Sequence, residues 1–88
     1  IRDGMNRLFM RYGIEIDENS RTGGVVISDV SPKSIVYNLH KGDVILSVDG
    51  RKVSSLDSFI RIFDQGGSRI GTMTVSRESR VFDIQLNE

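Results

Sequence analysis

The sequence predicts a mostly β domain with two helices, a partly open antiparallel β-barrel or sandwich capped by a short and a longer helix. Three observations carry this. Short β-branched or alternating runs, such as Val25–Val30 and Val44–Val48, are separated by clusters of Gly, Asn, Asp and Ser. Asp49-Gly50 and the stretch around Glu78 read as hairpin turns between such runs. One stretch alone, residues 54–67, combines a serine cap, apolar residues at helical spacing and a Gly-Gly stop.

Taken in order, Met5, Leu8, Phe9 and Tyr12 lie at spacings of three, four and seven, which predicts a short helical lead-in over residues 1–11. Gly4 and Asn6 weaken it. Gly13–Asp17 alternates as a half-buried strand, residues 18–24 form a turn, and Val25–Val30 is a second strand. Ser31 followed by Pro32 predicts a short helix ending near Asn38, with Pro at the position where a missing N–H costs nothing. Val44–Val48 then enters the Asp49-Gly50 turn and resumes at Arg51. In the longer helix Ser54 or Ser55 is the cap, Asp57 sits where the dipole favours an anion, and Leu56, Phe59, Ile60 and Phe63 form the apolar stripe. Two final strands carry Met73 and Val75, and Phe82, Ile84 and Leu86.

Composition narrows the function. Eighty-eight residues hold one small core and no second domain. Twelve basic and twelve acidic residues balance without a long run of either sign, so the electrostatic footprint of nucleic-acid binding is absent. With no cysteine there is no disulfide, thiolate metal site or cysteine nucleophile. His40 is the single histidine and reads as a turn residue or a cation at a helix end, without partners for catalysis. Asp43 and Asp49 read as turn formers, and Arg77-Glu-Ser-Arg80 as a solvated hairpin tip whose arginines could meet an acidic partner. No apolar run reaches membrane-spanning length, and no membrane contact is expected. A start at Ile1 without methionine suggests a piece excised from a longer protein.

The block SDVSPKSIVYNLHKGDVILSVDGRKVSSLDSF, with YGI upstream and a two-strand unit downstream, resembles a PDZ domain in the circularly permuted arrangement common in bacterial proteases. The resemblance covers roughly residues 12–87, making residues 1–11 a lead-in and 12–88 a PDZ-like domain. Where the family usually has Ala-Gly-Leu this chain has Tyr37-Asn38-Leu39, with Asn38 the substitute for glycine at a left-handed helix end.

The resemblance implies a peptide-binding module that captures extended chain ends, especially a C-terminal carboxylate, by β-strand addition. It places Arg11, Tyr12, Gly13 and Ile14 in the carboxylate loop, with the N–H groups of Tyr12, Gly13 and Ile14 as donors and Arg11 adding charge. Ile14, Glu15 and Ile16 form the groove strand, with Glu15 and Asp17 turned to water. Ser55, Ser58 and Ile62 share a helix face expected to flank the groove, and Tyr12, Ile14, Phe59 and Ile62 wall a pocket for an apolar last side chain. No histidine stands on the Ser55/Ser58 edge, so no preference for Ser or Thr two positions upstream is expected. No catalysis, cofactor or metal is implied. The expected partners are peptide segments of other proteins and the catalytic domain of a parent bacterial envelope protease, of HtrA type, of glycyl-aminopeptidase type or another processing protease, in the periplasm or cell envelope. The alternative is a structural or oligomerisation domain whose groove is closed or self-occupied, since the amphipathic segment Met5–Tyr12 could pack across it.

Overall fold

The computed structural model describes residues 1–19, 21, 24–36 and 38–86. Two α-helices, α1 (Arg2–Tyr12) and α2 (Leu56–Gln65), accompany six strands: β1 (Ile14–Glu18), β2 (Val25–Val30), β3 (Val44–Val48), β4 (Arg51–Lys52), β5 (Thr72–Arg77) and β6 (Arg80–Gln85). The strands form one antiparallel sheet in the order β1-β2-β3-β5-β6, with β4 paired to β3. β1 and β6 are its edges, so the sheet does not close into a barrel.

Local chemistry explains most boundaries. Asp49 and Gly50, both at positive φ, join β3 to β4 in a two-residue turn. The Asp49 carboxylate also accepts from the Gly71 and Thr72 N–H groups and so sets where β5 begins. Glu78 and Ser79, likewise at positive φ, join β5 to β6. Ser55 caps α2 in a reciprocal capping box with Ser58, and the Gly66 N–H returns to the Ile62 carbonyl at the other end.

The short helix predicted after Ser31 does not form among the described residues; the segment is a series of turns. Its serines supply local partners that compete with a helix. Ser31 accepts from the Lys33 N–H through its hydroxyl and from the Ser34 N–H through its carbonyl. The Ser34 hydroxyl accepts from the Val36 N–H and donates to the Tyr12 carbonyl at 2.6 Å. The reading of Asn38 as a substitute for glycine at a helix end rests on Tyr37 as well, which lies outside the described residues, as do Ser20, Thr22 and Gly23 of the β1–β2 turn.

The core is continuous from the sheet to both helices. Leu8 and Tyr12 of α1, Ile14 and Ile16 of β1, Phe59 and Phe63 of α2, and Met73 and Val75 of β5 are buried together. The Phe59 and Phe63 rings stack with centroids 6.2 Å apart. The boundary expected between residues 11 and 12 falls in the last turn of α1, and the buried Leu8 ties that helix to the same core.

Candidate functional site

Gly13 ends α1. Its φ of 69° and ψ of 31° are left-handed, and its N–H donates to the Phe9 carbonyl at 2.8 Å. A Cβ there would stand 3.1 Å from the Ser34 Cα and 3.2 Å from the Ser31 Cβ, so both conformation and space call for glycine. Two of the three predicted carboxylate donors are therefore corrected: the Gly13 N–H is bound internally, and Tyr12 lies within the last helical turn.

The third, Ile14, has a different environment. The Ser31 N–H donates to the Gly13 carbonyl at 2.7 Å, and the Asn19 N–H to the Gly24 carbonyl at 2.8 Å. These bonds fix the alternation of the antiparallel ladder on either side of the irregularity between Glu15 and Ile16. The alternation turns the peptide groups of Ile14 and Ile16 away from β2, toward the open side of the sheet. No backbone hydrogen bond joins their N–H groups to α1 or α2. Their side chains point inward and are buried, while Glu15 and Asp17 are exposed as predicted.

α2 meets β3 and α1, and the face it turns toward α1 is not the one predicted to flank the groove. Ser58, Ile62 and Gln65 share one flank, and Gln65 accepts from Arg51 of β4 at 2.7 Å, so that flank looks toward β4. The Ser55 and Ser58 side chains are engaged in the capping box, and Phe59 and Ile62 are core. The opposite flank, carrying Ile60 and Asp64, is the one that meets α1. Helical periodicity had placed Ile60 in the stripe without showing what it touches.

α1 itself neighbours both β1 and α2. Gly4 rests on Ile60, where a Cβ would lie 2.7 Å from the Ile60 Cγ2. One turn on, the Arg7 guanidinium pairs with Asp64 and donates from Nε to the Ser68 hydroxyl at 2.9 Å. At the far end the Tyr12 hydroxyl accepts from the Ile70 N–H at 2.8 Å. These contacts run in step, so α1 is parallel to α2, and the turn at Gly13 leads it back into β1. Tyr12, Ile14, Phe59 and Ile62, expected to wall an open pocket, are each at most 8% exposed, because α1 and the core already cover them. Arg11 lies in the last turn of α1 and is partly exposed. A shallow cleft of about 640 Å³ remains beside Glu15, bounded by Ile1, Arg2, Met5, Asn6 and Phe9 of the α1 segment.

Away from the groove, Arg77 is a residue the sequence reading placed in solvent. It belongs to β5 and reaches Asp43, which is 1% exposed, through Nε at 2.7 Å and a second nitrogen at 2.6 Å. Arg77 also donates to the Asn38 carbonyl at 2.7 Å, and its guanidinium lies 5.0 Å from the centre of the Phe82 ring. Burial pushes the Asp43 carboxyl upward, but hydrogen bonds from Arg77 and the His40 N–H, with the guanidinium charge, outweigh it and hold the group below the usual carboxylate range. His40 is exposed and contributes its backbone N–H here.

Among the described residues no cluster of His, Asp and Glu is spaced to hold a metal ion, and no helix is long and apolar enough to cross a membrane. The fold defines a small antiparallel-sheet domain with an open strand edge at β1 and two helices packed on its core. A family model for the PDZ domain matches residues 7–75, and the chain belongs to that family. PDZ domains are peptide-binding, protein-interaction modules and are generally non-catalytic. No curated protein matches the chain.

Proposed function

We propose that the domain captures extended chain ends by strand addition at β1, with an apolar last side chain seated against α2. The observation that carries this reading is the outward turn of the Ile14 and Ile16 peptide groups on an edge strand. An added strand hydrogen-bonds to those groups whatever its sequence, and selectivity comes from the pocket beside them. In the reading as revised by the geometry, Ile60 rather than Ile62 lines that pocket.

The wider setting we propose is a substrate-binding or regulatory domain of a bacterial envelope protease of the HtrA type, in permuted strand order and in the periplasm or cell envelope. The resemblance of residues 28–59 and of YGI to such domains supports it; the fold by itself does not carry a function. The test is an NMR titration with short peptides ending in Val, Leu, Ile or Phe. Peptides with a free carboxylate are expected to shift the Ile14–Ile16 amides, and amidated versions to shift them much less. β1 amides that stay unmoved across the panel, both in the wild type and in a variant whose α1–α2 contacts are broken, would refute strand addition.

A second reading is a structural or oligomerisation domain, and the position of α1 beside both β1 and α2 favours it. Under this reading the groove is a permanent packing interface. Light scattering then gives a concentration-independent oligomer mass, and no peptide perturbs β1.

A further inference from the structure

α1 lies where a peptide seated between β1 and Ile60 of α2 would run, packed on Ile60 and facing Glu15 across the cleft. We infer that α1 is a displaceable occupant of the groove, so that peptide binding is coupled to release of residues 2–9. The inference rests on the peptide-binding reading and adds the regulation of that site.

α1 is held by packing more than by its own helical tendency. It has eleven residues, includes Gly4 and Asn6, and has no side-chain cap at Ile1. Its ion pair with Asp64 is exposed on both sides, the setting in which such pairs contribute least. Its outer surface leaves Phe9 and Met10 42% and 82% exposed, so docking does not bury its apolar groups completely. Within residues 2–9 Leu8 is the side chain seated fully in the core, and its withdrawal sets the cost of release; the remaining anchors lie at the C-terminal end, where Tyr12 is bonded to Ile70 and Gly13 accepts from Ser31. The motion that this permits carries residues 2–9 outward about the last turn while Tyr12 stays seated.

Such a motion frees three parts of a peptide site together. It uncovers Ile60, clears the interval beside the outward peptide groups of Ile14 and Ile16, and unwinds the bond that holds the Gly13 N–H on the Phe9 carbonyl. The Gly13 N–H, expected from sequence to hold a carboxylate, is then free to do so. Measured affinity becomes the intrinsic affinity reduced by the fraction of molecules with α1 released.

A reversible lock tests this. The chain has no cysteine, and an ideal Cβ at Gly4 lies 2.7 Å from the Ile60 Cγ2, one bond from the Ile60 Cβ, so Gly4→Cys with Ile60→Cys is within disulfide reach. In the oxidised double variant, binding of the apolar-ended peptides is expected to weaken by at least about tenfold relative to the same variant reduced. Two single variants probe the opposite direction. Gly4→Glu collides with Ile60, and Arg7→Glu sets like charges against Asp64 outside the core; each is expected to tighten binding. Equal binding in the oxidised and reduced forms, with unchanged affinity in the single variants, overturns the inference and leaves the peptide-binding reading intact. If no form binds any peptide, including Gly4→Glu with its α1–α2 contacts shown by NMR to be lost, that reading falls and this one with it.

Discussion

Replacing Arg77 by alanine isolates its two-nitrogen contact with the buried Asp43 carboxylate. The substitution leaves the Asp43 carboxylate, 1% exposed, with the neutral His40 backbone N–H as its remaining donor among the described residues, and it also removes a donor to the Asn38 carbonyl and the contact with the Phe82 ring. Removing one member of a buried pair typically costs about 3–5 kcal/mol, mainly through the stranded charge. The Arg77 side chain is 24% exposed, so water partly screens the pair and a value near 3 kcal/mol is expected. Against the roughly 4–13 kcal/mol typical of a domain this size, that is a large share. Urea unfolding followed by circular dichroism measures it. The sign with pH is also set: a carboxyl whose folded pKa lies below its unfolded value near 3.9 adds stability above that value and loses it as pH falls through the folded one. The gap between wild type and Arg77→Ala should therefore be full at neutral pH and shrink below about pH 4. A loss under about 1 kcal/mol at pH 7, the level of an exposed pair, would refute the argument that this contact is buried and unrelieved.

Three other substitutions probe the elements around the groove. Tyr12→Phe deprives the Ile70 N–H of its acceptor and should cost about 1–3 kcal/mol in denaturant melts, with faster exchange of the Ile70 amide. Gly13→Ala forces a side chain into left-handed backbone and against Ser34; about 1–3 kcal/mol should be lost, and an unchanged midpoint would contradict the contact. Ser55→Ala removes the α2 cap for about 1 kcal/mol while leaving peptide affinity unchanged, because its flank faces away from β1. A change in affinity there would restore Ser55 to the groove.

Legibility in the sequence followed the range of the interactions. β2, β3, the two hairpin turns and α2 are all specified by neighbours within a few residues, and each was found where periodicity and turn residues put it. The segment after Ser31 misled because its proline and serine fit a helix start equally well, and only the distant Tyr12 carbonyl shows what the Ser34 hydroxyl does instead. Arg77 misled for a similar reason, its partner being 34 positions away. For the site, the amphipathic spacing of Met5–Tyr12 disclosed a helix but not its seat. The stripe of α2 named Ile60 and Phe63, but Ser55, Ser58 and Ile62 were expected beside the groove, and the contact between Gly4 and Ile60 shows the other flank meeting α1.

The tip at Glu78 and Ser79 has a practical use. Both residues are exposed, stand on the hairpin that ends in the outer strand β6, and are separated from β1 by the width of the sheet. A fluorophore or a short inserted tag at that bend would follow tumbling and assembly without touching the β1 edge. Immobilising the molecule through it would leave that edge facing the solution.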